Sequence, residues 1–120
     1  EEFTFPRSFA HWLVYNIPAD AGGLVEGASM TARMPSGSQE LNSDFVTFKI
    51  PGFGRGYGGP WPPNGPHRYV FTLFALKSQS IDLPQDADLV AFSQAILPVT
   101  IEQASFTAIY GPATAALPAA

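Results

Sequence analysis

Apolar positions come in short bursts cut by proline and glycine, which predicts short strands joined by structured loops rather than long helices. Residues 10–17 (Ala-His-Trp-Leu-Val-Tyr-Asn-Ile) read as a strand, closed by Pro18. Its alternating faces, His11/Leu13/Tyr15/Ile17 and Trp12/Val14/Asn16, are both largely apolar, as expected of a strand covered on two sides. Residues 21–33 are small and turn-like, and Pro35-Ser36-Gly37-Ser38 marks a loop. A brief alternation (Phe45, Val46, Phe48, Ile50) gives way to a glycine-rich and then a proline-rich stretch over 52–66. Residues 67–76, from His67 to Leu76, form the strongest strand pattern and are apolar on both faces, which predicts a central position. A helix is expected over 86–97, with Asp86 as its N-cap and Leu89, Phe92 and Ile96 on one face, limited by Pro98. Residues 105–110 read as a last strand, and the Ala/Pro tail over 112–120 carries no fold signal.

Composition narrows the function classes. The chain has 120 residues, 46% of them apolar and only 13% charged, with a formal charge of −4, which suits one folded domain rather than a disordered segment. The six basic residues are scattered, so nucleic-acid binding, which needs a basic patch, is not expected. No cysteine is present, which excludes disulfides, thiolate catalysis and cysteine metal sites and leaves the compartment open. No apolar run reaches the roughly 18 residues of a transmembrane helix. The formal G-x-G-x-x-G from Gly54 to Gly59 is followed by Pro60, Pro62 and Pro63, where a dinucleotide site would need a helix to start. Two histidines alone do not make a catalytic zinc site, and no serine sits in a G-x-S-x-G elbow, so neither a metal nor a cofactor is expected.

His11 and His67 each open a strongly apolar strand. A histidine at a strand edge is more often a structural hydrogen-bonder than a ligand contact. The loop before His67 shifts that balance: Pro62-Pro63 fixes the backbone direction while Gly58-Gly59 lets a ligand approach the main chain.

These residues resemble the phosphatidylethanolamine-binding protein (PEBP, or Raf kinase inhibitor protein) family. Gly59-Pro60-Trp61-Pro62-Pro63 followed by Gly65-Pro66-His67-Arg68-Tyr69 is similar to the family's G-x-x-P-P loop and G-x-H-R-Y segment. His11-Trp12-Leu13-Val14-Tyr15-Asn16-Ile17-Pro18 is similar to the histidine strand of bacterial members, and Asp82-Leu83-Pro84 with a short helix and a last strand ending at Tyr110 also fits. The resemblance covers about residues 6–111. It implies an antiparallel β-sandwich with one or two peripheral helices, and a pocket for a small anion or phosphorylated head group. His11 and His67 would line that pocket, with Gly58, Gly59, Trp61, Pro62 and Pro63 as its loop wall, Tyr69 on its inner side and Phe9 at the rim. Arg68, on the opposite face of the strand, would be held by a structural ion pair or hydrogen bonds.

Three departures accompany the resemblance. The family's acidic D-P-D-A-P turn is replaced by Glu2-Phe3-Thr4-Phe5-Pro6, leaving Glu2 as the candidate pocket carboxylate. Val99 stands where bacterial members usually have a histidine. The strands that precede the acidic motif in the family have no counterpart, so residues 1–120 are expected to form one N-terminally incomplete domain that pairs with a second copy or with an N-terminal fragment. The leading functional expectation is a non-catalytic binding module, with an inhibitor or regulator of a kinase or protease as a role the resemblance implies. The alternative is a small-molecule cyclase or isomerase in which His11 and His67 act as acid and base.

Overall fold

The computed structural model describes residues 9–59 and 66–111. In chain order the elements are β1 (Val14–Tyr15), β2 (Gln39–Glu40), α1 (Asp44–Thr47), β3 (His67–Leu76), α2 (Leu89–Ile96), a 3-10 turn (Leu97–Val99) and β4 (Thr100–Tyr110). Strand outweighs helix, and both sheets are antiparallel: β1 pairs with β2, and β3 pairs with β4 from His67 opposite Tyr110 to Leu76 opposite Thr100, with a bulge at Ala75/Leu76.

The expected strand over 10–17 shortens to β1 because its backbone bonds to separate segments instead of to one ladder. The carbonyls of Ala10, His11 and Leu13 accept from the amides of Asp44 (2.8 Å), Gly58 (2.9 Å) and Leu41 (3.0 Å). Asn16 then turns out of the extended region at φ 60°. Its side-chain amide stands in for a strand partner, donating to the Ile81 carbonyl at 3.0 Å and accepting the Ile81 amide at 2.8 Å.

The apolar alternation over 45–50 is helical at its start rather than extended. Asp44 and Ala10 clamp each other, the Asp44 amide donating to the Ala10 carbonyl and its carboxylate accepting the Ala10 amide, each at 2.8 Å. The turn so begun buries Phe45 and leaves Phe48 exposed. In α2 the N-cap is Asp88, not Asp86: the Asp88 carboxylate accepts the Ala91 amide at 2.9 Å. Asp86 lies in the preceding turn, where the Ala87 amide donates to the Pro84 carbonyl. Asp88→Ala should therefore cost about 0.5–2 kcal/mol. Asp86→Ala should stay within roughly 0.5 kcal/mol of the parent. Urea unfolding of the two variants checks the assignment, and equal losses would refute it.

The core comprises Leu13, Tyr15, Leu41, Ala87, Phe92 and Ile96, with Phe74 and Leu76 of β3 packed against it. One end of the long β3–β4 ribbon is thus anchored in the core through Phe74 and Leu76. The expectation that β3 is central is corrected: β4 is its strand partner among the described residues. On one face of the ribbon the Phe71 and Phe106 rings stack at 4.8 Å, and Leu73 and Phe106 are about two-thirds exposed. The expected start of the last strand also moves, from Ser105 back to Thr100, as β4 follows directly on the 3-10 turn.

Candidate functional site

His11 lies just before β1 and is half-buried in a ring of aromatic side chains. Its ring centroid is 5.3 Å from Phe9, 5.1 Å from Phe45 and 5.3 Å from Tyr69, each approached edge to face. Its Nδ1 lies 2.8 Å from the Gly58 carbonyl oxygen. A carbonyl oxygen only accepts, so Nδ1 carries the hydrogen and Nε2 is left for other partners. The Gly58 amide donates back to the His11 carbonyl, so His11 and Gly58 are joined twice.

Tyr69 brings the second histidine to this place. It follows His67 by two positions on β3 and shares its face, and its ring meets that of His11. The His67 end of the ribbon therefore lies beside His11, although the two histidines are far apart in sequence. His67 itself is exposed and sits opposite Tyr110. Arg68 is exposed on the other face, and its side chain makes no ion pair or hydrogen bond among the described residues. The expected structural anchoring of Arg68 is thus absent there.

The glycine loop has a steric requirement. A Cβ on Gly58 would lie 2.6 Å from Phe45 Cδ2, closer than packed atoms allow, so glycine lets the main chain reach His11 past the Phe45 ring. Phe45 in turn stacks on Phe53 at 3.9 Å. Gly59 is half-buried and has ordinary space around it. Phe9 is exposed, touches His11 and Phe45, and stacks on Phe48 at 6.0 Å. Glu2, Trp61, Pro62 and Pro63 lie outside the described residues. Val99 falls in the 3-10 turn, where its carbonyl accepts the Lys77 amide.

Three residues of this region were not singled out from sequence. Phe45 and Phe53 have only their apolar character to mark them. Glu40 is buried, and its carboxylate accepts from Trp12 Nε1 at 2.7 Å, one residue from His11. An open groove of about 530 Å³ lies on the far side of Phe9, between α1 and the start of α2, edged by Asp44 and Asp88. Neither histidine lines it, and both carboxylates already accept backbone amides. The two imidazoles therefore lie outside this groove. Among the described residues no three His, Asp or Glu side chains assemble as a metal site, and no helix is long and apolar enough to cross a membrane.

Comparisons with known proteins give the family of the chain. The family described as phosphatidylethanolamine-binding protein matches residues 2–111. A UPF0098 protein of Methanothermobacter thermautotrophicus is 41% identical over 70 residues, covering 58% of this chain and 42% of that protein. The UPF0098 protein YbhB of Escherichia coli is 35% identical over 102 residues, covering 83% of this chain and 60% of its own length. Among solved structures, that of E. coli YbcL, described as a new member of the mammalian PEBP family, superposes with a TM-score of 0.69 at 29% identity, covering 83% of this chain and 59% of YbcL. The chain belongs to the phosphatidylethanolamine-binding protein family, and it spans between 42% and 60% of the length of these relatives. Its fold is accordingly the PEBP fold.

Proposed function

We propose that the cleft between His11 and the His67 end of β3 takes a small anion or a phosphorylated head group. One observation carries the reading. The Gly58 carbonyl holds the Nδ1 hydrogen of His11, so Nε2 remains for a ligand, beside a ribbon end that carries the second histidine. When Nε2 is protonated it donates a charge-assisted hydrogen bond, and the surrounding Phe9, Phe45 and Tyr69 rings limit competition from water. The family's description as phosphatidylethanolamine-binding supports a ligand whose head group carries an anionic phosphate.

The sign of the pH dependence follows. An anion binds the protonated imidazoles better, so affinity falls as pH rises through the range in which histidines lose their proton. Phosphate monoesters gain charge over the same range, so the probe is methanesulfonate, whose charge is constant there. Calorimetric titration between about pH 5.5 and 8 should show steadily weaker binding with rising pH. Affinity that is flat across that range would sink the anion reading.

A further inference from the structure

Glu40 forms the hub of a hydrogen-bond network that ends on His11. Its carboxylate accepts three donors: Trp12 Nε1 at 2.7 Å and Ser29 Oγ at 2.6 Å on Oε1, and the Met30 amide at 2.7 Å on Oε2. Ser29 Oγ is used twice, donating to Glu40 and accepting the Tyr57 amide at 2.9 Å. The main chain at 40 and 41 grips the same loop. The Glu40 carbonyl accepts Arg55 Nη1 at 2.7 Å, and the Leu41 carbonyl accepts the Gly56 amide at 3.1 Å. Gly56 is at φ +97°, and a Cβ there would lie 2.7 Å from Ser29 Oγ, so the loop passes hard against this network.

Residues 55, 56 and 57 are thus tied to Glu40, Leu41 and Ser29, and the next residue, Gly58, presents its carbonyl to His11 Nδ1. Glu40 also holds Trp12, the neighbour of His11, so one buried carboxylate fixes both sides of the Gly58–His11 contact. We infer that Glu40 is a positioning residue: by holding loop 55–58 against the strand it selects the Nδ1–H tautomer of His11 and turns Nε2 toward the ligand. The physical basis is that the hydrogen bond made by one imidazole nitrogen decides the state of the other. Glutamate suits the hub because an ionised carboxylate is an acceptor on both oxygens, whereas an amide would set N–H against N–H on one side.

The affinity arm of the test rests on the anion-cleft reading; the tautomer arm does not. Long-range 15N–1H spectra of the imidazoles report the His11 tautomer in the ligand-free protein. The parent should show the Nδ1–H form. Glu40→Gln should shift His11 toward a mixture of tautomers, and Ser29→Ala, which removes only the bridge to Tyr57, should shift it in the same direction. Asp88→Ala, which destabilises α2 without touching the network, should leave it unchanged. Methanesulfonate affinity should fall roughly three- to tenfold in Glu40→Gln, the worth of a lost positioning hydrogen bond. If Glu40→Gln does not fold, Ser29→Ala decides. A parent-like His11 tautomer in the folded variants would overturn the inference, as would an equal shift in Asp88→Ala. If the parent does not bind methanesulfonate, the cleft reading fails and the tautomer result alone judges Glu40.

Discussion

Replacing Phe45 by alanine should destabilise the protein by about 3–5 kcal/mol, the usual cost of removing a buried phenyl ring. Phe45 is only 6% exposed, and its ring touches Phe53, Phe9 and His11 while filling the space over Gly58. The loss should also release His11, because one wall of its aromatic surround goes with the ring. Phe48 is the matched control. It lies three residues on and is 66% exposed, so Phe48→Ala should stay within roughly 0.5 kcal/mol of the parent. Urea or guanidinium unfolding of the two variants separates them. If Phe45→Ala costs no more than Phe48→Ala, the packing account of the site is wrong.

The second large effect concerns binding. His11→Ala and His67→Ala should each weaken methanesulfonate binding by roughly 10- to 100-fold, the equivalent of about 1.5–3 kcal/mol for a lost hydrogen bond to a charged group. The double variant should lose less than the sum, because two groups holding one anion are coupled. Arg68→Ala is the contrast. Arg68 is exposed on the ribbon face opposite Tyr69, so both stability and affinity should stay close to the parent. Calorimetry on the parent and the four variants at about pH 6 reads these values, near the ordinary histidine range. Undiminished binding in either single histidine variant would remove that histidine from the site.

What was legible in the sequence has a physical pattern. β3 was readable because ten consecutive residues favour extended backbone, and α2 was readable because Phe92 and Ile96 recur on one face. The N-cap was displaced by two positions because Asp86 and Asp88 have the same local chemistry, and only the Pro84–Ala87 turn decides between them. Residues 10–13 looked like strand but bond to two distant stretches, 41–44 and Gly58, and no local pattern reports a partner elsewhere in the chain. α1 was missed because its start depends on the reciprocal Asp44–Ala10 clamp, a contact between residues far apart in sequence. The His11 and His67 segments were found through paired motifs. Glu40 was not, because a lone acid after a glutamine looks like any solvated side chain until Trp12, Ser29 and Met30 close around it.

The central claim is that His11 and His67 act on one ligand, and a single NMR titration tests it most directly. Methanesulfonate is added to the parent protein at about pH 6, near the ordinary histidine range, while the imidazole 15N signals of both residues are followed. The account predicts that both sets of signals move along one saturation curve with one Kd, with the larger change at His11 on Nε2 rather than on the Gly58-bonded Nδ1. Signals from only one histidine moving, or the two following different curves, would contradict it.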